Sequence, residues 1–480
     1  MKLYKILLYI ATSVGLLILI AAVFPEEGIN IAGLHLRFPT IEQITVPKEE
    51  RELRILLTQQ QEEARKDLVS LNDSADYYKH LLDSGDTRFY FPQGNSNFFA
   101  PLFAQFDAIP QSGRTIRIVH YGDSQIEMDR LSSRLRAYMQ RTFGGSGPGM
   151  VPFSPIILPY SLSHSASGAL TQYAPYGDKG ERRSNGNYGP LVNCHHLAGS
   201  ASASFKASKS RFADSLTQQY SSVRLLFDKG EGTLSATLAG KHLPTQSKQC
   251  TAAGIHTIDW KLDSAVSALS LTLSGAGELY GVMLDGGAGV AVDNVPLRGC
   301  SGQQFTQIAE RVLRDSYSQM DVGLIILQFG GNSMPYLKSE KSISTYTASI
   351  GRQIDRVHKV CPTAQILFIG PSDMSTSIGG RYQTYPYLPA TVAALRDTAI
   401  AHGAAFWSLY DAMGGSGSMT AWVSRGLAGP DYIHYTQRGS EIMGDCLTNA
   451  FDNAYQYYRL LARIDSKKKE KKKLDTQLSK

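Results

Sequence analysis

The sequence predicts an α/β protein: a parallel sheet with helices on both faces, a β-sandwich inserted after its first strand and helix, and an apolar N-terminal helix. Three observations carry this. The runs RIVHYG (117–122), VGLIILQFG (322–330), AQILFIGPSD (364–373) and AAFWSLYDA (404–412) are almost continuously apolar, and segments such as TASIGRQIDRVHKV separate them. Parallel strands buried on both faces read this way. From about Pro152 to Asp285 the texture changes to strict alternation: Leu269, Leu271 and Leu273 face one way, and Ser270, Thr272 and Ser274 the other. That is the pattern of antiparallel strands with one covered face. Finally, Ile6 to Phe24 contains no charged residue and is long enough to cross a bilayer.

Composition agrees. With 480 residues, 42% hydrophobic and 19% charged, the chain has room for two or three domains and is neither disordered nor a multispan membrane protein. The formal charge is +6, but Lys467–Lys480 holds seven lysines against Glu470 and Asp475, which leaves +1 for everything before it. No nucleic-acid surface is spread over the fold, and the tail reads as a solvated extension.

Taken in order, Lys2 and Lys5 ahead of the apolar run place the N-terminus in the cytoplasm and the remainder outside the inner membrane. No small-x-small site precedes Pro25, so an uncleaved anchor is favoured over a cleaved signal peptide. Residues 1–27 form the tip and anchor, and 28–90 a polar helical spacer around KEERELRILLTQQQEEARKDLVSL. Residues 91–151 and 286–460 form the α/β domain, 152–285 the inserted sandwich, and 461–480 the basic tail. Export permits disulfides. The cysteine count is odd, and Cys194 with Cys250 is the candidate pair, set against five buried free thiols.

Open α/β sheets keep their chemistry at the carboxyl ends of the strands. The first apolar run ends in HYGDSQIEMDR, where Gly122 allows a turn and Ser124 opens the next helical segment. A serine nucleophile needs a base and an acid that orients the base. In GPDYIHYTQRG, Asp431 and His434 are three residues apart, close enough for a carboxylate to reach the imidazole of its own turn. Ester chemistry also needs donors for an oxyanion. Asn332, after Gly330 and Gly331, and the backbone N–H of Gly299 in VDNVPLRGCSG are placed to supply them. Each element alone has an ordinary alternative, as N-cap, turn or loop residue.

As a set in chain order these residues resemble the SGNH (GDSL-like) hydrolase superfamily, whose blocks supply a Gly-Asp-Ser serine, a glycine, a Gly-x-Asn asparagine and an Asp-x-x-His pair. Ser333 stands where that family often has aspartate. FGGSGPGMVP, LYGVMLDGGAGVAVDNVPLRG and DAMGGSGSMTAW further resemble the peptidoglycan O-acetylesterase branch, over roughly residues 114–447. The resemblance implies a flavodoxin-like three-layer fold carrying a carbohydrate-binding-type β-module. It also implies a serine esterase that removes O-acetyl groups from an envelope glycan without metal or cofactor. Ser124, His434 and Asp431 would be catalytic, with the N–H groups of Ser124 and Gly299 and the Asn332 amide as oxyanion donors. An O-acetyltransferase using the same acyl-enzyme, and a non-catalytic glycan-binding scaffold, are the alternatives.

Tyr173, Tyr176 and Tyr188, in QYAPYGDKGERRSNGNYGP, are candidates for stacking on sugar rings, with packing at the sandwich edge as the other reading. FGGSGPG lacks the Gly-Lys-Ser/Thr ending of a phosphate loop and reads as a rim loop. His195 and His196 beside Cys194 have no second cluster at metal-ligand spacing.

Overall fold

The computed structural model describes residues 3–178, 181–210 and 213–479; Lys2, Lys480 and residues 179–180 of the tyrosine-bearing stretch lie outside them. The chain forms two compact units, Met1–Asp76 with Arg459–Lys480, and Tyr77–Tyr458.

In the first unit, helix Leu3–Val23 is long and apolar enough to cross a membrane. It is followed by a hairpin of β1 (Ile29–Ile31) and β2 (Leu34–Leu36). Helix Lys48–Asp83 begins here, and helix Gln437–Leu478 ends here. Leu57, Ala64 and Leu474 bury one another. Lys467 Nζ lies 3.1 Å from Asp67, and Gln61 donates to Asp475 at 2.5 Å. The lysine-rich C-terminus, expected as a solvated extension, is helical: Leu474 is buried against Leu57 and Ala64 and Lys467 is paired, while Lys468, Lys469, Lys472 and Lys473 remain exposed to solvent.

The second unit begins with β3 (Phe89–Tyr90), β4 (Thr115–Gly122), β5 (Gly149–Val151), β6 (Leu162–Tyr173), β7 (Cys194–Ala207), β8 (Tyr220–Lys229), β9 (Leu234–Gly240) and β10 (Leu243–Cys250). There follow β11 (Gly254–Val266), β12 (Ala268–Asp285), β13 (Gly289–Pro296), β14 (Val322–Gln328), β15 (Gln365–Gly370), β16 (Ser375–Ile378), β17 (Arg381–Thr384) and β18 (Ala405–Ser408).

One sheet runs β13-β4-β14-β15-β18-β3, parallel except for the antiparallel edge strand β3. Its five parallel strands stand in the spatial order 2-1-3-4-5 when counted along the chain, which is the flavodoxin-like order. Every residue of β14 is buried, as a strand covered on both faces requires. Helices Glu310–Tyr317, Glu340–Val360 and Leu388–Ala401 pack on one face. Ala100–Asp107, Ser132–Phe143 and the start of Gln437–Leu478 cover the other, making three layers.

The expected β-sandwich is one continuous eight-stranded sheet folded about its longest strand. β12 pairs with β9 and then β8 along one edge, and with β7 and then β5 along the other. The alternating residues read from the sequence, Leu269, Leu271 and Leu273, join Phe205, Phe227 and Trp260 in a single core. Cys194 and Cys250 are both free. Their strands lie at opposite ends of the order β10-β9-β12-β7. Three interstrand spacings amount to about 14 Å, well beyond the reach of a disulfide.

The glycine-rich FGGSGPG segment is not a rim loop. A Cβ on Gly147, whose φ is +88°, would lie 2.2 Å from Leu284 O, so this linker threads closely against β12. A buried ion cluster stands beside it. Arg117 on β4 forks onto Asp285 of β12 (2.7 and 3.0 Å) and Asp293 of β13 (2.9 and 3.0 Å). Burial and repulsion from Asp293 push the Asp285 carboxyl up to about 6 against the pull of Arg117.

Candidate active site

In a 2-1-3-4-5 sheet the strand order reverses between the first and third parallel strands, here β4 and β14. Ligands bind in the crevice beyond that point. Both strands end there in the residues singled out above. After Gly122, Asp123 accepts from Gln125 N (3.0 Å), and a 3₁₀ turn runs from Ser124 to Asp129. Asp123 is buried, which pushes its carboxyl up to about 6.

Ser124 Oγ lies 2.7 Å from His434 Nε2, and His434 Nδ1 lies 2.7 Å from Asp431 Oδ2. With the imidazole proton on Nδ1, where the carboxylate accepts it, the Ser124 hydroxyl donates to Nε2. The other oxygen of Asp431 accepts from the backbone N–H groups of Ile433 (3.0 Å) and His434 (3.1 Å). Burial works against the charge of Asp431, but these bonds outweigh it and hold the carboxyl below its ordinary range. One carboxylate thus shapes its own turn and orients the ring that follows.

Asn332 stands in the 3₁₀ turn Gly331–Tyr336 after β14, its amide donating to Cys300 O at 3.1 Å and, more weakly, to Asp123 Oδ2 at 3.3 Å. Ser124, Asn332 and His434 line one open cavity with Pro335, Tyr336 and Met374. Gly299 sits next to Cys300 in the loop after β13 and does not itself line this cavity. Among the described residues, neither the Ser124 N–H nor the Gly299 N–H has a hydrogen-bond partner.

The three tyrosines are packed rather than free. Tyr188 is 2% exposed and its hydroxyl exchanges hydrogen bonds with the Arg183 backbone. The Arg183 guanidinium covers the Tyr173 ring at 3.8 Å, and Tyr176 packs against the main core. A Tyr188 ring offered to a sugar is excluded by this burial. The exposed aromatic ring at the cavity is Tyr336, 79% exposed, which follows the Gly-Gly-Asn segment and was not singled out from the sequence.

Sequence reasoning also passed over Gln125, directly after the serine. Its amide donates to Ile433 O at 2.7 Å and couples the serine turn to the loop bearing Asp431 and His434. Tyr432 in that loop adopts φ +58°, and its ring stacks on Tyr382 of β17 with centroids 3.7 Å apart. Neither partner is close in sequence, so spacing alone carries no signal of them.

The doubly wound sheet, of the SGNH fold, brings serine, histidine and aspartate into hydrogen-bond sequence at its switch point. Residues 265–442 match the GDSL-like lipase/acylhydrolase family. The match includes Gly299, Asn332, Asp431 and His434 and begins after Ser124. Among solved structures, a peptidoglycan O-acetylesterase is similar: 20% identity, 74% of this chain and 96% of that one covered, and a TM-score of 0.61, which establishes a shared fold. A family two carbohydrate esterase from Cellvibrio japonicus is more distant, at 10% identity, 62% and 99% coverage, and a TM-score of 0.24. No curated protein matches the chain.

Proposed function

We propose that this chain is a serine esterase that removes O-acetyl groups from a cell-envelope glycan, peptidoglycan being the foremost candidate. The observation that carries the reading is the Ser124–His434–Asp431 relay opening into the cavity at the switch point. Ser124 Oγ attacks the acetyl carbonyl while its proton passes to His434 Nε2. Asp431 holds the ring and balances the imidazolium. The charge on the carbonyl oxygen is met by the N–H groups of Ser124 and Gly299 and by the Asn332 amide proton that turns to it from the weaker bond on Asp123 Oδ2. As the ester C–O bond breaks, His434 returns the proton to the departing sugar oxygen and an acetyl-serine remains. Water, deprotonated by His434, then releases acetate and restores Ser124.

Support for a glycan substrate is the fold shared with a peptidoglycan O-acetylesterase. The apolar helix Leu3–Val23 supports an inner-membrane anchor, with the hydrolase unit on the periplasmic side. The test is acetate release by the full-length protein from O-acetylated peptidoglycan, with and without a deacetylated acceptor glycan. Free acetate in both arms is expected. Acetate transferred to the acceptor in preference to water would make the enzyme a transferase.

A further inference from the structure

We infer that the Glu127–Arg298 ion pair is a positioning clamp: it ties the turn that bears Ser124 to the loop that bears Gly299 and sets the spacing of their two N–H donors. The inference rests on the esterase reading above. Arg298 Nε and Nη2 fork onto the two carboxylate oxygens of Glu127 at 2.5 and 2.7 Å. Glu127 is three residues after Ser124, and Arg298 immediately precedes Gly299. The Glu127 side chain is 5% exposed and the Arg298 side chain 67% exposed, so the arginine reaches in from the surface to a buried carboxylate.

Both partners sit where the backbone needs an external hold. Glu127 breaks the 3₁₀ turn with ψ 150°, and Met128 and Asp129 follow at φ +57° and +63°, a region that residues with side chains disfavour. On the other side, Gly299 has φ +74° and nothing lies within 4 Å of where its Cβ would be, so local packing does not fix it.

Up to Leu297 the two segments are joined by Leu297 N to Gly122 O (2.7 Å) and by Asn294 Nδ2 to Ile126 O (3.0 Å). Beyond Leu297 the loop is held by its own Cys300 N to Leu297 O turn, by Asn332 on Cys300 O, by the Tyr346 hydroxyl on Ser301 O (2.9 Å), and, next to Gly299 itself, by this fork. A planar bidentate pair fixes direction as well as distance, which a point charge does not. Oxyanion donors must meet the oxygen within a few tenths of an ångström, so a loop freed at Arg298 loses transition-state stabilisation rather than substrate binding.

The experiment uses the full-length protein in detergent and a small acetyl ester, comparing wild type, Arg298→Ala, Arg298→Lys, Glu127→Gln, the Arg298→Ala/Glu127→Gln double variant, and Ser124→Ala. Each removal is expected to lower kcat about tenfold or more with KM within about twofold. The double variant should lose no more than the worse single variant, because the two residues act as one device. Arg298→Lys should recover only part of the loss. Arg298→Ala leaves the buried Glu127 carboxylate without a cation, so the double variant and Arg298→Lys carry the test where a single removal unfolds. An effect confined to KM would make Arg298 a substrate-binding cation, and additive losses would show two separate roles; either overturns the clamp. Wild-type turnover by Arg298→Ala beside an inactive Ser124→Ala would overturn the clamp alone, whereas activity retained by Ser124→Ala would overturn the esterase reading and the clamp with it.

Discussion

At the scale of single residues, the direction of one hydrogen bond decides the chemistry. His434 can take a proton at Nε2 only while Asp431 holds Nδ1–H, and Asp431 is held low by three donors, so it stays ionised. Asp431→Asn should therefore lower kcat roughly a thousandfold or more, since an amide neither fixes the tautomer nor balances the imidazolium. Steady-state kinetics on an acetyl ester checks this, and undiminished turnover would remove Asp431 from the relay. Asn332→Ala should lower kcat roughly a hundredfold and leave KM nearly unchanged, as the loss of an oxyanion donor does. A change in KM alone would make Asn332 a binding residue. Ser124, Asn332, Asp431 and His434 were legible in the sequence because each follows an apolar strand or shares one short turn. Gln125 and the Glu127–Arg298 pair were not, because the partner of each lies far along the chain and only the sheet order brings them together.

At the scale of elements, strands could be read where burial on both faces left a continuous apolar run, as in β14, or where one covered face imposed alternation, as in β12. The helix in the lysine tail was not legible because the tail's charge is local whereas its support is remote: Asp67 and Gln61 belong to the helix Lys48–Asp83. The junction between the two sheets was equally invisible, since Arg117 reads as one polar residue at the start of a strand. Its guanidinium is the counter-charge for two buried carboxylates from different sheets. Arg117→Met should cost roughly 3–5 kcal/mol, because Asp285 and Asp293 would remain buried without a cation. The denaturant midpoint of the purified protein measures it, and an unchanged midpoint would show that the cluster does not hold β4 to β12 and β13.

At the scale of the whole molecule, buried titratable groups set the response to acid. Burial pushes His120, His164 and His195 down to about 4, so the unfolded chain binds their protons first as pH falls below the ordinary imidazole range. Stability present above about pH 6.5 is therefore lost on the way down to 4. Asp123 and Asp285, pushed up to about 6, oppose this, because the folded state binds their protons first. Three protons favour the unfolded chain and two the folded one, so among these groups acid lowers stability on balance, by on the order of 1 kcal/mol per pH unit between roughly 4 and 6. Denaturant midpoints at pH 6.5, 5.5 and 4.5 should fall in that order, and a midpoint rising with acid would contradict the burial of the histidines. Periodicity alone made the doubly wound order legible only as far as a parallel sheet with a β-rich insertion, because strand order depends on long-range pairing; the motif resemblance carried the flavodoxin-like order. Yet that order puts Ser124 and Asn332 on neighbouring strand ends and makes the relay possible. The central claim is that Ser124 carries the acetyl group between glycan and water. Its most direct test is rapid quenching of the full-length protein with O-acetylated peptidoglycan fragments, followed by peptide mass analysis. An acetyl group on the Ser124 peptide of wild type, with neither adduct nor acetate release from Ser124→Ala, is the predicted result. Acetate release by wild type with the adduct on another residue, or undiminished release by Ser124→Ala, would contradict it.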